Sequence, residues 1–182
     1  MSQIERKKNK NGIYHIILQG ANYMHEKVFG WDEDKEKFIQ ILGLYKKKYG
    51  YEIYAYCIMD NHAHILLKEG KETISETVKA IRSAYIYWYS SRHRRCGQVF
   101  EERFKSEAIE NHDDFTSTLR SIHQNPLKEG LVESLEEYKW SSYHEYVKGC
   151  KIVDIDIGLE LFSGNKDNFI MFHDEITNDT RI

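Results

Sequence analysis

The stretch Tyr51–Lys68, YEIYAYCIMDNHAHILLK, constrains the fold more than any other part of this 182-residue chain. Two apolar, aromatic-rich runs flank Met59-Asp60-Asn61, a pattern that predicts a β-hairpin in the middle of the sequence. Side chains at i and i+2 of a strand share a face. His62 and His64 therefore project together, while Ala63, Ile65 and Leu67 project to the other side. One face is apolar enough to lie on a core. The other holds two imidazoles side by side, which is how a strand offers two nitrogen ligands to one metal ion. The same spacing also suits two partly exposed histidines with no ligand role.

Around this hairpin the chain alternates short strand-like runs with helical periodicity. Met1–Gly12 is polar and lysine-rich and reads as a frayed end. Ile13–Leu18 is an apolar run suited to a strand, followed by a loop over Gly20–Gly30. Asp32–Lys48 has Phe38, Ile41, Leu42 and Tyr45 at helical spacing, Asp32 placed to cap it and Gly50 to end it. After Gly70, Thr73 or Ser75 can cap a helix with a stripe of Ile74, Val78, Ile81, Tyr85 and Trp88; Tyr87 and Tyr89 lie off that stripe. Phe104–Ile109 can form a further strand. Asn111 or Asp113 can cap a helix buried through Phe115, Leu119 and Ile122. Proline disfavours helical geometry in the residue before it, so Pro126 predicts that this helix stops at Asn125. Glu136–Val147 is amphipathic, and Leu159–Phe162 is an apolar patch that can dock as a short helix. Short strands interspersed with helices predict an α+β fold, an antiparallel sheet with helices packed on one face.

The net charge of −3 divides unevenly. Residues 151–182 carry three basic and seven acidic side chains, a net −4, which leaves +1 for the first 150. A slightly basic body with an acidic tail allows nucleic-acid binding through a local patch. Arg92, Arg94, Arg95, Arg103 and Lys105 supply one, with Tyr87 or Tyr89 available to stack on bases. Cations at a solvated helix end explain the same run equally well. Three scattered cysteines form neither a zinc pair nor a disulfide framework. With no secretory segment and no long apolar run, the expectation is a cytoplasmic protein without a membrane span.

Five segments, GIYHIILQGAN, MDNHAHILL, GQVFEERFKS, LRSIHQNPLKEGLV and YKWSSYHEY, occur in an order that resembles the HUH-type single-strand DNA transposases, in the branch of REP-associated tyrosine transposases. The resemblance covers residues 10–150 as one domain and leaves 151–182 as an acidic extension packed on it or trailing from it. It implies a ferredoxin-like fold that binds hairpin-forming single-stranded DNA, as a monomer or a homodimer. It also implies that His62, His64 and Asn125 hold a divalent metal, Mg2+ or Mn2+, which polarises the scissile phosphate. In the family a tyrosine four residues before the third ligand attacks that phosphate. The product is a phosphotyrosine link that stores the bond energy for rejoining.

The family pattern there reads Arg-Tyr-Ile-His-x-Asn-Pro, and this chain reads Arg120-Ser121-Ile122-His123-Gln124-Asn125-Pro126. Ser121 stands in the nucleophile slot. A serine oxygen lies about 2.4 Å from its Cα against roughly 6.5 Å for tyrosine, so it falls about 4 Å short of the phosphate. It is also far less acidic than a phenol. Three outcomes follow: the chemistry is lost and a hairpin-binding protein remains, Tyr87 or Tyr89 substitutes, or water fills the space and the metal supports hydrolysis.

Overall fold

The structure, a computed structural model, describes residues 10–21, 27–94, 96–149 and 151–175. The start at 1–9, part of the first loop at 22–26, Arg95, Cys150 and 176–182 lie outside the described residues. Strand β1 (Ile13–Gln19) leads to helix α1 (Asp32–Tyr49). The hairpin follows as β2 (Glu52–Ile58) and β3 (His62–Lys68), then α2 (Ile74–His93) and β4 (Lys105–Ala108). The sheet order is β2-β3-β1-β4 with every neighbour antiparallel. This is the βαββαβ ferredoxin-like arrangement, and it bears out the α+β class.

Register decides what shares a face. Ile17 sits opposite His64 and Gln19 opposite His62. On the other side of β1, Lys105 sits opposite Ile17. Ile17, Gln19, His62, His64 and Lys105 therefore point the same way. The opposite face carries Tyr14, Ile16, Leu18, Ala63, Ile65 and Leu67, all buried with Phe38, Ile41 and Leu42 of α1 and Ile74, Val78, Ile81 and Tyr85 of α2. Those two helices cover that face. The later helix α3 (His112–Lys128) adds a layer on the histidine face, where Phe115 meets Tyr54 and Asn125 meets His62.

Local chemistry fixes most element ends as the sequence predicts. Gly50 ends α1 in the left-handed conformation, with φ 69°. Thr73 caps α2 by accepting from Glu76 N–H, and Asn111 caps α3 by accepting from Asp114 N–H. At α1 the cap is Trp31 rather than Asp32; the Asp34 carboxylate accepts the Trp31 N–H. Gly20 lies so close to Asn61 that any Cβ there would collide with the Asn61 amide. Its N–H donates to the Asn61 carbonyl, tying the end of β1 to the turn just before His62.

Three expectations need correction. Helix α3 does not stop at Asn125: it runs through Pro126 to Lys128. The buried apolar stripe of this helix outweighs the hydrogen bond that proline removes, and Leu131 N–H closes back onto the Pro126 carbonyl. Tyr89 is not off the apolar stripe. The stripe of α2 steps from Tyr85 to Tyr89, which is 1% exposed and packs on His93, while Trp88 is only partly buried. Glu136–Val147 is not one segment: a 3-10 turn at Leu135–Glu137 gives way to a turn at Lys139–Trp140 before helix α4 (Tyr143–Lys148).

That turn shields the outer edge of β2, where Ile58 N–H donates to the Trp140 carbonyl and Ser142 N–H to the Tyr56 carbonyl. The buried Glu145 accepts from the Tyr56 hydroxyl and from the backbone N–H groups of Ile152 and Val153. Two short helices close the described chain, α5 (Ile155–Glu160) and α6 (Lys166–Asp174). Phe169 of α6 stacks on Tyr146 at 4.5 Å. Among the described residues no helix is long and apolar enough to cross a membrane.

Candidate active site

Where α3 passes over the sheet, a pocket of about 270 Å³ opens between them. Its lining is Ile17, Gln19, His62, His64, Lys105, Asn125, Lys128 and Glu129. β3 presents the two histidines by alternation, and β4 presents Lys105 through its register with β1. Helix periodicity presents Asn125 and, one turn later, Lys128 and Glu129.

His64 is almost fully enclosed, and its Nδ1 is 3.0 Å from His15 Nε2. Its Nε2 is buried with no hydrogen-bond partner among the described residues. An orphaned buried nitrogen is costly unless something outside the chain engages it. His62 Nε2 lies 3.4 Å from the Asn125 amide and 3.3 Å from a Glu129 carboxylate oxygen. Burial lowers the pKa of His62 despite the opposing carboxylates of Glu129 and Asp60. Burial lowers that of His64 further, helped by His15, His62, Lys105 and Lys128. Neutral imidazoles are the ligating form. The donor set suits a divalent cation: two neutral imidazoles and an amide. Among the described residues no three His, Cys, Asp or Glu side chains already gather as a metal cluster, so the set depends on the amide.

Ser121 lies one turn before Asn125 on the same helix face and is 7% exposed. The Lys128 ammonium donates to its Oγ at 3.4 Å. An ammonium group has no acceptor, so it offers this hydroxyl no base to take up its proton. No tyrosine lines the pocket among the described residues. Tyr87, 81% exposed, and the buried Tyr85 and Tyr89 all belong to α2, on the far face of the sheet.

Of the five cations read as a DNA patch, the structure brings Lys105 into the pocket. Arg103 is exposed two residues before it. Arg92 and Arg94 sit at the end of α2, away from the pocket, with Arg92 paired to Glu33. Arg95 lies outside the described residues. Sequence reading missed Lys128, Glu129, Gln19 and His15. Continuing the helical spacing past Pro126 would have found the first two, and strand alternation from Ile13 the others.

The class is defined by this arrangement: a ferredoxin-like sheet whose central strand turns a histidine pair toward an amide on the helix above. The sequence profile of the family described as "Transposase IS200 like" matches residues 8–125, and the chain belongs to that family. A Haemophilus influenzae protein assigned to the REP-associated tyrosine transposases is 27% identical over 185 residues, covering 92% of this chain and 96% of its own. The REP-associated tyrosine transposase of Escherichia coli is 26% identical over 106 residues, covering 56% of this chain and 60% of its own. A REP-associated tyrosine transposase solved bound to a REP hairpin shares the fold, with a TM-score of 0.69 at 21% identity, over 86% of this chain and 90% of that one.

Proposed function

We propose that this protein binds hairpin-forming single-stranded DNA on the sheet face that carries His62, His64 and Lys105. A phosphate of the strand enters the pocket under α3. There His62, His64 and Asn125 would hold Mg2+ or Mn2+. The bound ion would supply Lewis-acid polarisation of the phosphate. Mg2+ prefers oxygen ligands, and Mn2+ accepts imidazole more readily. Lys105 and Lys128 face the same space and neutralise phosphate charge. The acidic tail and the net charge of −3 leave this local patch to do the attracting.

Strand transfer through a phosphotyrosine link is lost in this reading. The supporting observation is the convergence of both histidines and Asn125 on one pocket, with the nucleophile slot one turn away occupied by Ser121. Ser121 is short, enclosed and bonded to an ammonium group. The protein then acts as a hairpin-binding member of a transposase family.

The test mixes the protein, and separately Ser121→Tyr, with a single-stranded hairpin oligonucleotide and Mn2+, followed by a denaturing protein gel. Binding by both with a covalent adduct only for Ser121→Tyr is expected. An adduct with the serine protein would mean that another tyrosine attacks. Nicked DNA without an adduct would mean that water does.

A further inference from the structure

We infer that Glu129 is a fourth protein donor of the metal site, a carboxylate held next to His62 and Asn125. This rests on the metal reading above and adds to it a ligand that the His-Ala-His pair and the amide do not supply.

Geometry carries the inference. Two ligands at about 2.1 Å from one ion and at right angles to each other are about 3.0 Å apart. The Asn125 amide lies 3.4 Å from His62 Nε2, and Glu129 Oε1 lies 3.3 Å from the same nitrogen. Both separations are close to the edge of a coordination polyhedron with His62 at a shared vertex. The amide can present its oxygen by a half-turn about its last bond. Asn125 and Glu129 are four residues apart on one helix face, and Glu129 N–H donates to the Asn125 carbonyl, so the two backbones are locked together. Across the pocket the buried His64 Nε2 is open. Among the described residues His62, His64 and Glu129 do not yet close on one point, and the Glu129 side chain, 43% exposed, is free to rotate inward onto an ion with little repacking.

Charge points the same way. Two imidazoles and an amide leave a dication uncompensated. One carboxylate reduces the site to a single positive charge, enough to attract a phosphate and compatible with its release. Four protein donors in a six-coordinate shell leave two positions for phosphate oxygens or water. Glu129 also stands at the C-terminal cap of α3, where the helix dipole disfavours a negative charge. Without an ion it would repel the phosphate that the two lysines attract. A carboxylate at that point is useful when a cation lies between it and the DNA.

The experiment titrates Mn2+ into the full chain and follows the free-ion electron paramagnetic resonance signal, for the protein as it stands, Glu129→Gln and His64→Ala. The glutamine variant removes the charge and keeps the shape. Expected is one saturable site, weakened about tenfold or more in Glu129→Gln, at least what loss of a partner around a metal site costs, and abolished in His64→Ala. Unchanged Mn2+ affinity in Glu129→Gln, with loss in His64→Ala, overturns the role of Glu129 and leaves the metal reading intact. Absence of Mn2+ binding by the unaltered chain overturns both. In chelator, Glu129→Gln is expected to bind hairpin DNA at least as tightly as the unaltered protein. Weaker binding there would mean that Glu129 supports the DNA-facing surface itself, which overturns the inference.

Discussion

His64 can ligate through Nε2 only if its Nδ1 carries the proton. His15 Nε2, 3.0 Å away, can accept that proton's hydrogen bond, which leaves His15 Nδ1–H facing Glu107 at 3.9 Å. With that proton accepted by His15, a bare His64 nitrogen faces the pocket, and His15 supports the ligating tautomer. Replacing His15 by Ala is expected to weaken Mn2+ affinity by about 10–100-fold while leaving both proposed strand ligands in place. The free-ion signal of a titration would show it, and unchanged affinity would remove His15 from the site. The histidine pair was legible from the sequence because strand alternation is a strict period of two. His15 was equally readable by alternation, but nothing along the chain showed that β1 would lie beside β3 in the register that brings these two rings together. Ser121 was legible as a departure from the family pattern. Its bond to Lys128 was not, because it depends on a turn of helix beyond Pro126 that local proline sterics disfavour.

At the scale of elements, α3 is the part that sequence reasoning cut short. The residue-before-proline rule describes local sterics. Here the helix is held from outside, by the sheet beneath it and by α6 beside it. Arg120 donates to the Phe172 carbonyl, and Gln124 donates to the carbonyls of His173 and Glu175. A directional chain completes the clamp. His173 Nδ1–H donates to the Phe169 carbonyl, so its Nε2 accepts from His123 Nδ1–H, and His123 Nε2 accepts from the Ser142 hydroxyl. Each member must be neutral for this chain to close. Burial pushes the pKa of His173 down to about 3. The folded state therefore leaves His173 unprotonated across a range where the unfolded chain, at about 6.5, takes up a proton. Its contribution to stability is full above pH 6.5 and declines as pH falls from there toward 3, by about 1.4 kcal/mol per pH unit. Denaturant melts between pH 7.5 and 4.5 should show the loss. In His173→Gln the decline should be shallower by that amount, and an equal decline would place the proton elsewhere.

Across the whole molecule, the fold class was legible because hairpin, caps and apolar stripes all agree with one another. The proposed DNA surface was less so. Arg92 and Arg94 look like part of a patch in a linear sequence, yet α2 covers the sheet face opposite the pocket, and Arg92 is paired with Glu33. Lys105 and Lys128 are distant in sequence and come together only because β4 pairs with β1 while α3 crosses above. A protein of net charge −3 can hold a polyanion only where such convergence outweighs the average repulsion. Each lysine that neutralises a phosphate releases condensed counterion, about 0.7 in the slope of log K against log salt for a single strand and about 0.9 for a duplex stem. Lys105→Ala and Lys128→Ala are each expected to lower the slope for hairpin binding by about that much, and together by about twice as much. Arg94→Ala, at the far end of α2, should leave it unchanged. Titrations at several salt concentrations decide the matter: a slope that falls with Arg94 and not with the lysines would move the bound strand from the histidine face to the α2 end. The pocket would then lose its claim on the DNA even with its donor set intact.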